Sequence, residues 1–144
     1  MSVARSRTGW QVASAVLLTA VVGWTAAPTF PMVWGIDPSL GQPNPVTYHS
    51  WLDPVVPFGG AALHAPLTFV CALVAAAGAW YGLAVKRTRR APAWWALAGA
   101  VILVGWSAVL SSFQWQQAVA LVGLLGGAGA ALLAARGALP PLLK

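Results

Sequence analysis

Long runs of apolar residues dominate the chain and predict four membrane-spanning helices. The runs lie at about 10–27, 64–85, 92–112 and 116–135, and none contains a Lys, Arg, Asp or Glu. A helix needs roughly 20 apolar residues to cross a bilayer core about 30 Å thick. The pattern therefore predicts an all-α protein, a bundle of four transmembrane helices that forms one integral membrane domain over residues 1–144.

The composition supports a lipid environment and argues against a water-soluble domain. Apolar residues make up 59% of the chain and charged residues 7%, whereas a soluble domain carries roughly 25% charged residues. The nine tryptophans suit a bilayer, because Trp is enriched at membrane interfaces. Trp106 is the exception, since it falls well inside the third run, where its indole N–H needs a partner.

The few charged residues predict an orientation. With four spans, all eight basic residues fall on one side of the membrane, and both acidic residues, Asp37 and Asp53, fall on the other. The positive-inside rule then places both termini in the cytoplasm of a cell with a plasma membrane. Because the basic residues flank the spans, they indicate topology, and nucleic acid is not an expected partner. They are Arg5, Arg7, Lys86, Arg87, Arg89, Arg90, Arg136 and Lys144.

The first run has an alternative interpretation as a secretory signal. Arg5 and Arg7 precede an apolar stretch that ends in Thr25-Ala26-Ala27, an arrangement similar to a cleavage site. The run is longer than a typical signal core, so a retained first span is the prediction.

Two helix faces carry closely spaced small residues. Gly78 and Gly82 lie on one face of the second span, and Gly123 and Gly127 lie on one face of the fourth. Such residues let helix backbones approach closely in membranes. We expect these helix-packing glycines to serve contacts within the bundle, and self-association or contact with another subunit is the alternative.

A polar face on the third span bears on transport. It consists of Ser107, Ser111 and Gln114, and its hydroxyls are expected to bond to helix carbonyls or to a neighbour. Ion and proton pathways generally use ionisable residues inside the membrane. The span interiors carry no Asp, Glu, Lys or Arg, which argues against an ion-coupled carrier.

Residues 28–63 form a proline-rich loop on the outer side. The segment holds seven of the eleven prolines, and proline excludes long helices. A short helical turn is expected near Tyr48–Leu52. A loop of this length is often functional.

The same loop contains most of the residues capable of polar chemistry. Asp37, His49, Asp53 and His64 would be candidate ligands for a divalent metal, but their spacing matches no metal motif. No nucleophile motif, phosphate loop or dinucleotide fingerprint is present. The prediction is therefore a protein that is not an enzyme and has no cofactor, catalytic residue or metal site.

The segment Ser-Trp-Leu-Asp-Pro-Val-Val-Pro-Phe-Gly, residues 50–59, leads through His-Ala-Pro-Leu-Thr, residues 64–68, into the second span. It resembles a Ser-Trp-Phe-Asp-Pro…Pro-Phe-Gly segment that precedes a helix in small uncharacterised bacterial membrane proteins. The resemblance covers about 20 residues, with Leu52 in place of the Phe and a different Val-Val insert. It implies a bacterial four-span protein and brings no activity with it.

These features favour an accessory or scaffold subunit of a larger membrane complex, with the lipid bilayer and other membrane proteins as partners. Trp34 and Trp51 would anchor the outer loop on the partner, with His49 and Asp53 fixing the orientation. Two alternatives remain open. One is a small channel or facilitator for a neutral or apolar compound, and the other is a membrane redox or metal protein that uses the His and Asp residues of the loop.

Overall fold

Four helices make up most of the protein. The computed structural model describes residues 2–33, 35, 39, 41–53, 63–109 and 113–136. The helices are α1 (Ser2–Ala26), α2 (His64–Ala84), α3 (Ala91–Val109) and α4 (Trp115–Arg136). Each contains a stretch long and apolar enough to cross a membrane. The predicted four-helix fold is confirmed, and the architecture is that of a multi-pass membrane protein.

The helices run alternately up and down. Arg7, near the start of α1, donates a hydrogen bond to Thr88 in the turn between α2 and α3. At the opposite end, Trp24 Nε1 donates to the Gln116 carbonyl at the start of α4. We call the end that holds Arg7 and Thr88 the basic end, and the end that holds Trp24 and Gln116 the loop end.

Small side chains fill the centre of the bundle. Alanines from all four helices are buried, and Leu18, Leu103 and Leu124 are the largest aliphatic residues that are fully enclosed. Packing of small residues drives helix association in membranes, because lipid offers no hydrophobic advantage for burial. One polar contact adds to it, since Ser14 Oγ donates a 2.9 Å hydrogen bond to the Gly127 carbonyl and ties α1 to α4.

The described part of the proline-rich segment contains a two-stranded antiparallel ladder. Strand β1 (Phe30–Val33) pairs with β2 (Val46–His49). The register places Phe30 opposite His49 and Val33 opposite Val46. A helical turn was expected near Tyr48–Leu52, but β2 extends through His49 and the turn that follows covers residues 50–53. Pairing with β1 accounts for the difference, because local sequence does not reveal a strand partner.

Candidate functional site

Trp51 lies inside the loop end of the bundle. Its side chain is 1% exposed. The backbone N–H of Trp51 donates to the Thr25 carbonyl at 2.9 Å, and its indole Nε1 donates to Thr29 Oγ1 at 3.0 Å. The Thr29 hydroxyl in turn donates to the Trp24 carbonyl at 2.7 Å. Trp51 thus fastens the loop to the end of α1, and we call this set of contacts the Trp51 clasp.

A series of aromatic rings continues from the clasp into the bundle. The Phe30 ring lies edge-on to Trp51, with centroids 5.7 Å apart, and also edge-on to His64, at 5.8 Å. The His64 ring is nearly parallel to Trp106, with centroids 6.3 Å apart. Edge-to-face aromatic pairs are favourable at such distances. The series connects the loop, α2 and α3, so the loop end is one packed unit.

The chain enters the clasp through a tight turn built by Ser50 and Asp53. The two carboxylate oxygens of Asp53 accept hydrogen bonds from the Ser50 hydroxyl at 2.8 Å and from the Ser50 backbone N–H at 2.9 Å. The Asp53 backbone N–H donates back to the Ser50 carbonyl at 3.2 Å. These bonds close the four-residue turn that directs Trp51 into the bundle.

The same turn sets the charge state of Asp53. The side-chain and backbone hydrogen bonds from Ser50 lower the pKa of the Asp53 carboxyl, with a smaller contribution from nearby His49. His49 Nδ1 lies 3.8 Å from Asp53 Oδ2, while Nε2 of the same ring is 2.7 Å from Thr47 Oγ1. Hydrogen bonds to the charged form stabilise a carboxylate, so Asp53 is an anion at neutral pH.

The structure describes three of the four predicted partner-binding residues and places them differently from one another. His49 and Asp53 lie side by side at the surface of the loop end, and the Asp53 side chain is about half exposed. The Trp51 side chain is buried and anchors the loop on the bundle. Trp34 lies outside the described residues, as does Asp37.

An apolar patch missed by the sequence analysis lies on the outward side of the same loop. Val46, Tyr48 and Leu52 are all about half exposed, and Tyr48 is the most exposed of them at 57%. We call these three residues the outward patch. The sequence feature that could have indicated this patch is the Ser-x-x-Asp spacing of residues 50–53, which is typical of a turn stabilised by side chains. In such a turn the two central residues point in different directions, and here Trp51 is buried while Leu52 is exposed.

At the loop end, each of the four helices contributes a buried polar residue to the bundle. Thr25, Thr68, Ser107 and Gln116 are at most 4% exposed. Thr25 Oγ1 bonds to the Val21 carbonyl of its own helix. Among the described residues, the hydroxyls of Thr68 and Ser107, the Gln116 Oε1 and the Trp106 Nε1 lack a hydrogen-bond partner. On the polar face predicted for α3, Ser107 is thus buried, and Ser111 lies outside the described residues.

The four glycines of the small-residue stripes lie against neighbouring segments of the same bundle. A Cβ on Gly127 would come within 2.7 Å of the Leu18 side chain, and one on Gly123 would overlap Val21, so both glycines admit α1. On α2, a Cβ on Gly78 would lie 3.3 Å from Pro92 Cγ of α3. A Cβ on Gly82 would lie 2.9 Å from the Arg87 carbonyl oxygen in the following turn.

Metal-ligating side chains are dispersed through the described part of the chain. Within residues 2–33, 35, 39, 41–53, 63–109 and 113–136, no three His, Cys, Asp or Glu side chains form a group that could hold a metal ion. His49 and Asp53 form a pair, and His64 lies inside the aromatic series.

Comparison with known proteins finds no matching family model, no similar curated protein and no similar solved structure.

Proposed function

We propose that the chain is a non-catalytic accessory subunit of a larger membrane complex, and that the outward patch at its loop end docks on another membrane protein. The observation that carries the proposal is the contrast in exposure among the apolar residues of segment 46–53. Trp51 is buried and hydrogen-bonded, whereas Val46, Tyr48 and Leu52 beside it are exposed. The protein thus presents apolar side chains from a segment that it holds in place.

The physical chemistry of association favours such an arrangement. Binding has to offset the entropy lost when loops become ordered, so a segment already fixed in its bound shape binds more tightly. The Trp51 clasp and the Ser50–Asp53 turn fix the outward patch in this way. Tyrosine is among the residues that most often dominate contact energies, which makes Tyr48 the expected anchor. Asp53 and His49, at the edge of the patch, would orient the partner.

The proposal includes a cellular setting. The resemblance of residues 50–68 to bacterial proteins stays a prediction, and it is the support for proposing a bacterial plasma membrane. The charge distribution supports cytoplasmic termini, and the outward patch would then face the outer side. The partner is a membrane protein with an extramembrane apolar surface near the outer leaflet.

Site-specific photo-crosslinking tests the docking surface directly. A photoreactive phenylalanine derivative in place of Tyr48 should yield a discrete crosslinked product in intact membranes. The same derivative in place of Tyr81, which is similarly exposed at the basic end, is the matched control and should not give that product. If neither position crosslinks to a protein, or both give the same products, the outward patch is not a docking surface.

A second test asks whether the side chains of the outward patch are needed to retain the partner. The double variant Tyr48→Ala, Leu52→Ala should lose most of the partner that co-purifies with the wild type in mild detergent. The control Tyr81→Ala, Leu73→Ala removes two side chains of comparable exposure at other positions and should retain the partner. A wild-type protein that purifies alone would contradict the accessory role.

A facilitator for a small neutral compound is the second candidate. Its support is the pair of buried hydroxyls on Thr68 and Ser107, which lack hydrogen-bond partners among the described residues. Such groups are costly to bury unpaired and would be satisfied by a passing polar molecule. Light-scattering measurements of glycerol entry into proteoliposomes test this function. Uptake that is faster than in empty liposomes and is slowed by Thr68→Val would favour it over docking.

A further inference from the structure

Among the side chains that the structure describes, the basic end of the protein gathers positive charge and contains no acidic group. Six basic residues with described side chains lie there, and the chain's two acidic residues are Asp37 and Asp53. Asp53 is at the loop end, in the turn that contains Trp51, and Asp37 lies outside the described residues. The six residues are Arg7, Lys86, Arg87, Arg89, Arg90 and Arg136.

A small pocket opens among these residues where all four helices meet the turn between α2 and α3. Its volume is about 20 Å³, which is room for roughly one water-sized group. Gln11, Thr88 and the segment around Arg87 provide its polar lining, and small residues such as Gly82 and Ala134 provide the remainder. The lining includes three residues that can donate hydrogen bonds, Arg87, Thr88 and Arg89.

The backbone of the turn fixes the position of these donors. Lys86 adopts a left-handed conformation with φ of 53°. The Lys86 N–H donates to the Leu83 carbonyl, and the Arg87 N–H donates to the Gly82 carbonyl at 2.9 Å. This is the Schellman pattern that ends many helices. Here the turn also favours glycine at position 82, since a Cβ there would lie 2.9 Å from the Arg87 carbonyl oxygen.

Helix α1 holds the same turn from the other side. Gln11 Nε2 donates to the Arg87 carbonyl at 3.3 Å, and Arg7 Nη2 donates to Thr88 Oγ1 at 2.6 Å. Because the Thr88 hydroxyl accepts the bond from Arg7, its own proton is available for a second acceptor. Arg89 is placed over the Tyr81 ring, with the guanidinium carbon 5.5 Å from the centroid. The turn thus presents a hydroxyl donor flanked by guanidinium groups.

Exposed aromatic rings put the pocket at the depth of lipid headgroups. Trp80, Tyr81, Trp94 and Trp95 are all about half exposed or more near the basic end. Such rings favour the membrane interface. Basic pockets between transmembrane helices are suited to the phosphates of lipid headgroups.

From this geometry we propose that the basic-end pocket binds the phosphate group of an anionic phospholipid. One phosphate oxygen enters the pocket and accepts the hydrogen bond from Thr88. Arg87 and Arg89 provide the positive charge around the remaining oxygens. The acyl chains stay in the surrounding bilayer, which distinguishes this ligand from a free phosphate ion of the same chemistry.

Native mass spectrometry of the full chain, released from nanodiscs of mixed phosphatidylglycerol and phosphatidylcholine, tests the proposal. We expect one phosphatidylglycerol molecule to remain bound and to raise the melting temperature of the purified protein. Thr88→Val removes the hydroxyl without changing the charge and should reduce retention, whereas Thr88→Ser should restore it. Arg87→Gln should weaken retention about fivefold, as expected for one basic residue at a membrane surface.

The control variant Arg136→Gln distinguishes binding at a specific site from general electrostatic attraction between the basic end and anionic lipid. It removes the same charge from the same end of the bundle, but Arg136 does not line the pocket. Retention in this variant should stay close to wild type, and circular dichroism should confirm that every variant is helical. Equal losses in Arg136→Gln and Arg87→Gln, or equal retention of both lipids, would overturn the proposal. Equal stabilisation by inorganic phosphate would overturn it in favour of a free-anion site.

Discussion

The indole Nε1 of Trp51 donates a 3.0 Å hydrogen bond to Thr29 Oγ1, and this bond joins Trp51 to the start of the proline-rich segment, three residues after the end of α1. Thr29 is also a donor, because its hydroxyl bonds to the Trp24 carbonyl at 2.7 Å. One threonine thereby satisfies a helix-end carbonyl and a buried indole. This relay explains how a segment rich in proline is held on a helical bundle.

Removal of the Trp51 ring should therefore destabilise the whole loop end. Trp51→Ala empties a fully enclosed position and should cost about 3–5 kcal/mol, measured by thermal or chemical unfolding in detergent. Trp51→Phe keeps most of the ring and should cost less. Trp94→Ala removes a tryptophan that is 63% exposed and is the control. Equal stability losses in Trp51→Ala and Trp94→Ala would show that the clasp contributes nothing.

The contact of Gly127 with Leu18 predicts a position-dependent effect within α4. Gly127→Leu should force α1 and α4 apart, with a loss of about 1–3 kcal/mol typical of overpacking. Gly129 lies two residues further along the same helix and has no atom within 4 Å of the place where a Cβ would stand. Gly129→Leu should therefore leave the melting temperature nearly unchanged. The contact between α1 and α4 is not decisive if the two variants melt alike.

The lowered pKa of Asp53 predicts a loss of loop structure in acid. The ionised carboxylate accepts the Ser50 hydrogen bonds, so its contribution is complete above the pKa of an unfolded Asp, about 3.9, and is lost as the pH falls through the lower folded value. Hydrogen exchange of residues 46–53, corrected for intrinsic rates, should show this loss below about pH 4. Ser50→Ala should remove more of the pH dependence than His49→Gln, because the Ser50 bonds are the larger cause. The opposite ranking would assign the effect to the ion pair.

The orientation proposed from charge predicts the labelling of introduced cysteines. In intact cells, Asn44→Cys should react with an impermeant thiol reagent, and Thr88→Cys should react only after permeabilisation. The native Cys71 is buried and should give little background. Labelling of Thr88→Cys alone in intact cells would reverse the orientation.

The four-helix bundle could be predicted from the sequence because it depends on the hydrophobicity and charge of long segments of the chain. Twenty apolar residues in a row have few alternatives to a membrane helix. The clustering of basic residues at the two termini and in the connection between the second and third spans gave the expected up-and-down order before any contact was known. Both arguments use averages over many residues, and neither depends on the position of a single side chain.

The direction of individual side chains was decided by the tertiary structure. Leu103 is fully buried while the adjacent Val104 is 44% exposed, although both are aliphatic residues in an apolar stretch of α3. A membrane helix carries little polar contrast to mark its inner face, because lipid and protein core are equally apolar. Trp51 makes the same point at the loop end. The sequence predicted that it lies in the loop outside the spans, but the pairing of β1 with β2 and the Ser50–Asp53 turn decided that its ring points inward. Such pairing joins residues far apart in the chain, and local sequence does not encode which of them will meet.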